Sequence, residues 1–220
     1  MFGLNRRSAV FAVCAVFVLQ LALLCACQKN TPPSPVLPTL SVGVVGVTQP
    51  TGTTDLLAGF IPENRVLATP KALTSLNEAI MGMLKAETKR TYRFISEGSG
   101  VDPTLSRSAG HNGALAHWVQ VGRDAKVDLL IVPQLLNWHE RAGSGAGVTT
   151  AAEVNIDFFL IDVREKDGEL LSRSHFKEKQ VGLSDNFMNF DTFIKRGGKW
   201  LSAQDLALEA VQKMIKEFGL

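Results

Sequence analysis

Two cysteines stand close together near the N-terminus, where residues 21–30 are LALLCACQKN. Two thiols at this spacing are residue types that bind a metal ion or form a redox pair. Both chemistries are disfavoured here, because Cys25 and Cys27 end an apolar segment with no histidine or further cysteine beside them, and Cys14 lies inside that segment. We therefore interpret the pair as a processing signal.

The segment before the pair has the pattern of a secretory signal peptide. Arg6 and Arg7 are basic, residues 9–26 carry no charge, and Gln20 is the only strongly polar side chain among them. A basic start, an apolar run and small residues near its end are typical of such peptides. The run is also about long enough to span a bilayer, so an uncleaved anchor is the competing interpretation.

Residues 24–27, Leu-Cys-Ala-Cys, resemble the lipobox of bacterial lipoproteins. The resemblance implies cleavage after Ala26 and attachment of palmitate and other acyl chains to Cys27. Cys25 is the poorer acceptor, because Leu23 and Leu24 would occupy positions that need small side chains. Gln28 follows the acceptor in place of aspartate, which by the same resemblance directs the protein to the periplasmic face of the outer membrane. A plain signal peptide or anchor is the alternative.

The chain is expected to divide into a signal peptide (1–26), a proline-rich tether (27–39) and one periplasmic α/β domain (40–220). Removing Arg6 and Arg7 from the 23 Lys and Arg leaves 21 basic residues against 21 Asp and Glu, so the mature chain is formally neutral. This balance gives no indication of a nucleic-acid partner. The oligomeric state does not follow from the sequence.

The other chemistry-bearing residues form no recognised catalytic or metal-binding pattern. The GSGAG stretch lacks the Lys and Ser/Thr of a phosphate-binding loop. Asp157 and Asp162 lie five residues apart on a predicted strand, so their side chains should face opposite sides of the sheet. The four histidines show no metal-ligand spacing: His111, His117, His139 and His175. We expect no catalytic residue, no cofactor and no metal.

Hydrophobic periodicity predicts the element order β-α-β-α-β-β-β-α, an α/β (α+β) fold. We expect a mixed sheet with an antiparallel C-terminal meander, covered by helices. Ser75 with Glu78 is predicted to cap the first helix, and Ser202 to cap the last one. Pro133 indicates a bend, a bulge or an edge position in its strand. Ile156, Phe158 and Leu160 should share one face of this strand and Phe159 and Ile161 the other; both sets are apolar, so the strand should be covered on both faces.

The aromatic residues after residue 186 have two interpretations. A short helix could bury them in the core, or they could form a partner-binding surface, where aromatic and Arg side chains are enriched. We expect Trp200 and Phe193 to be buried, and Phe187 or Phe190 to be partly exposed. The long irregular segment at residues 51–70 poses the same choice for its apolar side chains. The candidate partner-binding residues are Phe60, Phe187, Phe190, Phe193, Arg196 and Trp200.

Three segments resemble a group of envelope lipoproteins with a TolB-N-terminal-like α/β fold, which includes the curli-secretion lipoprotein and the penicillin-binding-protein activator lipoprotein B. AKVDLLIVPQL (125–135), FFLIDVREKDGELL (158–171, with Asp162 and Gly168 at matching places) and LSVGVVGV carry the likeness. The resemblance implies a non-catalytic protein that binds another envelope or secretion-system component. The sequence has no alternating amphipathic pair of segments beyond the meander, so we do not expect the pore of the pore-forming member. A periplasmic carrier of a small apolar or lipid ligand, and a hydrolase with an unrecognised site, are the alternatives.

The choice of acceptor cysteine predicts how two variants are processed. Cys27→Ser should abolish lipidation and leave unprocessed precursor, because the acceptor thiol is gone. Cys25→Ser should be processed almost normally. Labelling with radioactive palmitate and precursor size on a gel measure both outcomes, and loss of label in Cys25→Ser would contradict the assignment of Cys27.

Overall fold

The computed structural model describes residues 36, 38–96, 111–144, 147–180 and 196–220, apart from the side chains of residues 111 and 112. These residues belong to one compact unit of the chain, Pro33–Leu220. Cys27, Phe187, Phe190 and Phe193 lie outside the described residues. The core side chains of the described residues form two clusters within this unit.

Five strands form one mixed sheet in the order β2-β1-β3-β6-β7. Strand β1 pairs in parallel with β2 and β3, while β3, β6 and β7 pair antiparallel as the predicted meander. Two short strands, β4 and β5, form a separate hairpin that the sequence did not predict. The strands are β1 (Val42–Val45), β2 (Tyr92–Ile95), β3 (Leu129–His139), β4 (Ala142–Gly143), β5 (Val148–Thr150), β6 (Glu153–Asp162) and β7 (Glu169–Lys179).

Three helices cover the sheet, and the predicted order of the main elements is confirmed. Helices α1 (Pro70–Glu87) and α3 (Ala203–Phe218) pack on one face, and α2 (His111–Asp124) packs on the other. A short 3-10 helix, Thr53–Asp55, lies between β1 and α1. Among the described residues, no helix combines the length and apolar character needed to cross a bilayer.

The central strand β6 is buried on both faces, as predicted. Ile156, Phe158 and Leu160 belong to the core under α1 and α3. Phe159 and Ile161 belong to the second core, under α2. Phe158 and Phe159 are both 0% exposed, so the two layers meet along this one strand.

The predicted N-cap of α1 is wrong. The helix begins at Pro70, and the cap is Thr69, whose hydroxyl accepts a hydrogen bond from the Ala72 N–H at 3.2 Å. Proline is favoured at the first helical position because its φ is already helical and the missing N–H would have no helical partner. Ser75 is therefore inside the helix. The predicted cap of α3 is confirmed, since Ser202 and Asp205 form a reciprocal capping box.

Pro133 lies in a central strand and not at an edge. The N–H groups of Leu129 and Leu135 donate towards β1, to Ser41 and Thr48 carbonyls. Pro133 is in phase with them, so its nitrogen faces the same side, but β1 and β3 pair only as far as Val44 and Ile131. A missing donor is tolerated there because regular pairing with β1 has already stopped.

Double-sided burial of β6 predicts equal sensitivity on its two faces. Phe158→Ala and Phe159→Ala should each lower the free energy of unfolding by about 3–5 kcal/mol, because each removes a fully buried ring and leaves a cavity. Leu171→Ala, on a side chain that is 46% exposed, should change it by no more than about 0.5 kcal/mol. Urea unfolding followed by circular dichroism measures all three. A small effect at either phenylalanine would show that one layer is loosely packed.

Candidate functional site

The segment between β1 and α1, residues 46–69, carries most of the exposed apolar surface and is named here the β1–α1 loop. Among the described residues, four large hydrophobic side chains are exposed, and three of them lie in this loop: Phe60 (75%), Val66 and Leu67. Leu56 and Leu57, in the same loop, are buried. The apolar side chains of the loop thus divide into an anchoring set and an exposed set.

A glutamine from the sheet anchors the first half of the loop. Gln134, on β3, is 1% exposed and faces the second core. Its Oε1 accepts the Leu57 N–H at 3.1 Å, and its Nε2 donates to the Asp55 carbonyl oxygen at 2.8 Å. Sequence reasoning missed this residue, although one amide inside the apolar run LLIVPQLL is a signal, because a buried amide needs partners.

Two further amide side chains fix the second half of the loop. Asn137 Oδ1 accepts the Val66 N–H at 2.8 Å, and the Val66 carbonyl accepts the Trp138 N–H at 2.9 Å. Gln49 bonds both backbone groups of Ala68, accepting at 2.7 Å and donating at 3.1 Å. The loop is irregular, as predicted, and side chains of the sheet and of the loop itself hydrogen-bond its backbone in both halves.

Asp55 closes the tightest turn of the loop. Its Oδ2 accepts hydrogen bonds from the Thr51 N–H and hydroxyl, at 2.8 and 2.7 Å, and from the Gly52 N–H at 3.1 Å. Burial alone would raise the pKa of Asp55, but these hydrogen bonds from Thr51 and Gly52 hold it below its usual value. The carboxylate is therefore charged at neutral pH and satisfies three donors of the turn.

A buried carboxylate lies beneath the loop on the same face of the sheet. Asp157 is 0% exposed, and its two oxygens accept from Arg173 Nη2 at 2.8 Å and from His175 Nδ1 at 2.7 Å. The Arg173 guanidinium also lies 5.8 Å from the centre of the Phe159 ring. Asp162 bonds Arg164 instead. The two aspartates therefore bond different cationic side chains and not each other.

Gly59 brings the loop onto this cluster. Its φ is +85°, and a Cβ there would lie 2.9 Å from Arg173 Nη2, so only glycine allows the approach without strain. Phe60 is the next residue in the chain, so the exposed ring is attached to the backbone directly after the point of closest approach to Arg173. We name Phe60, Arg173 and His175 the Phe60 surface. It combines an aromatic ring with two partly exposed cationic or titratable groups anchored on a buried aspartate.

Arg196, a predicted site residue, links two elements of the fold through ion pairs. Its guanidinium bonds Glu209 of α3 at 3.0 and 2.6 Å and Glu178 of β7 at 3.3 Å, and the side chain is 13% exposed. Burial alone would lower the pKa of Arg196, but the two glutamates raise it above its ordinary value. Arg196 thus ties α3 to β7 on the face opposite to Arg173, so it does not belong to the Phe60 surface.

We expected Trp200 to be buried, but the structure shows it only partly buried. Its backbone carbonyl accepts a hydrogen bond from Arg141. The predicted aromatic helix around Phe187, Phe190 and Phe193 lies outside the described residues. In the described ranges, no group of three or more His, Cys, Asp or Glu side chains is arranged to hold a metal ion.

Comparisons with known proteins identify no family for this chain. No protein-family model matches it, and no curated protein matches it. Solved structures with a similar arrangement include the PelC dodecamer from Paraburkholderia phytofirmans (14% identity, TM-score 0.47, covering 86% of this chain and 94% of that one). Another is the hypothetical protein CT253 from Chlamydia trachomatis (10% identity, TM-score 0.43, covering 80% of this chain and 94% of that one). A third is the lipoprotein GNA1162 from Neisseria meningitidis (11% identity, TM-score 0.33, covering 72% of this chain and 98% of that one). At these identities and TM-scores the likeness indicates neither a family nor an activity.

The approach of Gly59 to Arg173 predicts opposite effects for two glycine substitutions. Gly59→Ala should destabilise the fold by about 1–2 kcal/mol, because alanine is strained at positive φ and its Cβ would press on the guanidinium. Gly82→Ala, in the exposed part of α1 with nothing within 4 Å of the added Cβ, should stabilise it by about 0.5–1 kcal/mol. Thermal unfolding followed by circular dichroism tests the pair. Equal shifts in the same direction would contradict the close approach.

Proposed function

We propose that this chain is a non-catalytic envelope lipoprotein, lipidated at Cys27 and held at the periplasmic face of the outer membrane, which binds another envelope or secretion-system protein through the Phe60 surface. The observation that carries the binding proposal is Phe60, whose side chain is 75% exposed on a loop fixed by buried amides. The lipidation proposal rests on the N-terminal sequence and its resemblance to a lipobox.

An exposed ring on a fixed loop is suited to binding. A flexible loop loses conformational freedom when a partner orders it, and that loss weakens binding. Hydrogen bonds from Gln134 and Asn137 already order this loop in the free protein. Burying Phe60 against a partner therefore incurs little additional entropy cost.

The composition around Phe60 supports the same proposal. Aromatic and Arg side chains are enriched among the residues that dominate binding energy in protein interfaces, where truncation of one such residue costs about 2 kcal/mol or more. The Arg173 guanidinium lies beside Gly59, the residue that precedes Phe60. The Arg173 side chain remains about one-third exposed while it is bonded to Asp157. Val66 and Leu67 extend the apolar area along the same loop.

Replacing Phe60 should separate binding from folding. Phe60→Ala in the full-length lipidated protein should leave the melting temperature within about 1 °C, since the ring makes little contact with the core, and should weaken partner binding about 30-fold or more. A photoreactive phenylalanine analogue at position 60, activated in intact cells, captures the bound protein covalently. Mass spectrometry of the adduct identifies the partner.

Leu171 provides the matched control, because it is also a large exposed hydrophobic residue but lies on β7 outside the loop. Leu171→Ala should leave binding unchanged, and the analogue at position 171 should give no specific adduct. If positions 60 and 171 gave the same adducts, or if Phe60→Ala unfolded the protein, the Phe60 surface would not be the binding site.

One observation favours a second candidate function, hydrolysis. His175 is oriented by the buried Asp157 through Nδ1, which is how a carboxylate positions a general base. Its Nε2 has no hydrogen-bond partner among the described residues, and the side chain is 48% exposed. Ester hydrolysis that is lost in His175→Gln and kept in Phe60→Ala would favour this function over partner binding.

A further inference from the structure

A second surface feature lies at the end of the sheet where β1 and β2 begin and where α1 and α3 end. It is an open concavity of about 1200 Å³, named here the basal concavity. Its walls come from the chain segment leading into β1, from the α1–β2 and α2–β3 connections, and from the last two residues of the chain. It is separate from the Phe60 surface, because the β1–α1 loop leaves the sheet from the other end of β1.

The basal concavity has a positive lining although the mature chain is formally neutral. Four basic residues line it: Lys89, Arg90, Arg93 and Lys126. Glu87 is the only carboxylate side chain among the described residues of the lining. Asp128 stands nearby, but its Oδ2 accepts two hydrogen bonds from Ser41, at 2.8 and 2.7 Å.

The basic residues divide by their present roles. Arg90 is committed to the fold, since it donates to the carbonyl oxygens of Leu40 at 2.9 Å and Val36 at 2.7 Å. Lys89, Arg93 and Lys126 are exposed. These three side chains are therefore available to an anionic ligand, while Arg90 fixes the chain segment that forms the rim.

The covalent chain keeps this end of the domain close to the membrane if Cys27 is lipidated. Val36 lies on the rim of the concavity, where its N–H donates to the Gly219 carbonyl at 3.2 Å. Only eight residues lie between it and Cys27, so the nine Cα–Cα steps span at most about 30 Å. A domain of this length is about 40 Å across. The tether is thus shorter than the domain, and the basal end is the end nearest the bilayer.

We propose that the basal concavity binds the phosphate-bearing headgroups of anionic phospholipids, so that the domain rests on the bilayer to which it is anchored. This inference rests on the proposed lipidation for its geometry. The lining also contains exposed or half-buried apolar side chains, among them Pro38, Leu40 and Leu220. A lipid's glycerol and first methylene groups would use these contacts, whereas a free phosphate ion would not, so charge and apolar lining together favour a lipid surface.

The bound orientation has a consequence for the Phe60 surface. With the basal end on the bilayer, the end of β1 from which the β1–α1 loop leaves points away from the membrane. Headgroup contacts would therefore restrict rotation about the tether and keep the loop facing the periplasm. Lipid binding at one end and protein binding through the loop are compatible in one molecule.

The test uses residues 28–220, which contain the whole folding unit without the lipid, and large unilamellar vesicles. Flotation with vesicles of phosphatidylglycerol and phosphatidylcholine at low salt should recover the protein, and pure phosphatidylcholine vesicles should not. Each basic side chain near an anionic surface strengthens partitioning about fivefold, so Lys89→Glu, Arg93→Glu and Lys126→Glu combined should reduce it at least tenfold. Raising the salt to about 0.5 M should weaken binding of the unchanged chain, because the Debye length falls to a few ångströms.

The matched control reverses three exposed lysines at the opposite end of the sheet, with Lys71→Glu, Lys177→Glu and Lys179→Glu combined. This variant should lose less than half of its partitioning, and both variants should keep the melting temperature of the unchanged chain. Equal loss in the two variants, or no binding to anionic vesicles, would overturn the inference. Stabilisation by inorganic phosphate without vesicle binding would also overturn it, because the ligand would then be a soluble anion. Self-association that the basal variant removes would overturn it as well, because the occupant would then be a second copy of the chain.

The result is separable from the lipidation proposal. Palmitate labelling of Cys27 is measured in the full-length chain and does not depend on the basal side chains. If Cys27 is labelled but residues 28–220 do not bind vesicles, only the headgroup-binding inference is contradicted and the lipidation proposal stands. Vesicle binding without labelled Cys27 would support the headgroup site and remove the tether geometry.

Discussion

The fold depends on the burial of the β3–β6 pair on both faces. Ten of the eleven residues of β3 and nine of the ten residues of β6 are buried, so neither face of these strands can be left to water. One helix layer is not sufficient, and the chain supplies α1 and α3 on one side and α2 on the other. The edge strand β7 alternates in exposure and β2 is buried only at Tyr92, because both strands lie outside this doubly covered centre.

Among the described residues, α2 is the helix that packs on the second face and it covers only part of that face, which explains the β1–α1 loop. Helix α2 packs over the apolar part of that face, around Phe159 and Ile161. Farther along the same strands the inward side chains are Gln134, Asn137 and Asp157, which no helix can satisfy with its own backbone bonds. Backbone N–H and C=O groups of the loop bond both ends of the Gln134 amide and the Asn137 oxygen, while the Asn137 Nδ2 donates to Glu153 of β6. The guanidinium and imidazole of β7 bond the carboxylate. The irregular segment and the buried polar side chains are thus each other's partners.

The sequence predicted the elements better than their junctions. Periodicity of apolar residues predicts β6 and its two buried faces, because alternation is a property of neighbouring residues. The start of α1 depended on a choice between Ser75 and Thr69, and the following proline favours Thr69. Gln134 could be flagged as unusual, but its partners lie 77 and 79 residues away. No local pattern shows that Gly59 meets Arg173, so the sequence could name Phe60 but not its neighbours, and it grouped Phe60 with Arg196 across the sheet.

The basal concavity illustrates the same limit for charge. Parallel strands begin at one end of a sheet, so the connections that lead into β2 and β3 are brought together there. Lys89 and Arg90 come from the first connection and Arg93 from the start of β2. Lys126 comes from the second connection, more than thirty positions later. Neither stretch is a basic run, and residues 27–220 carry equal numbers of basic and acidic residues. The local excess of positive charge arises from the topology. Because β1 begins at the same end, residues 38–41, which lead into it, line the concavity beside these basic side chains.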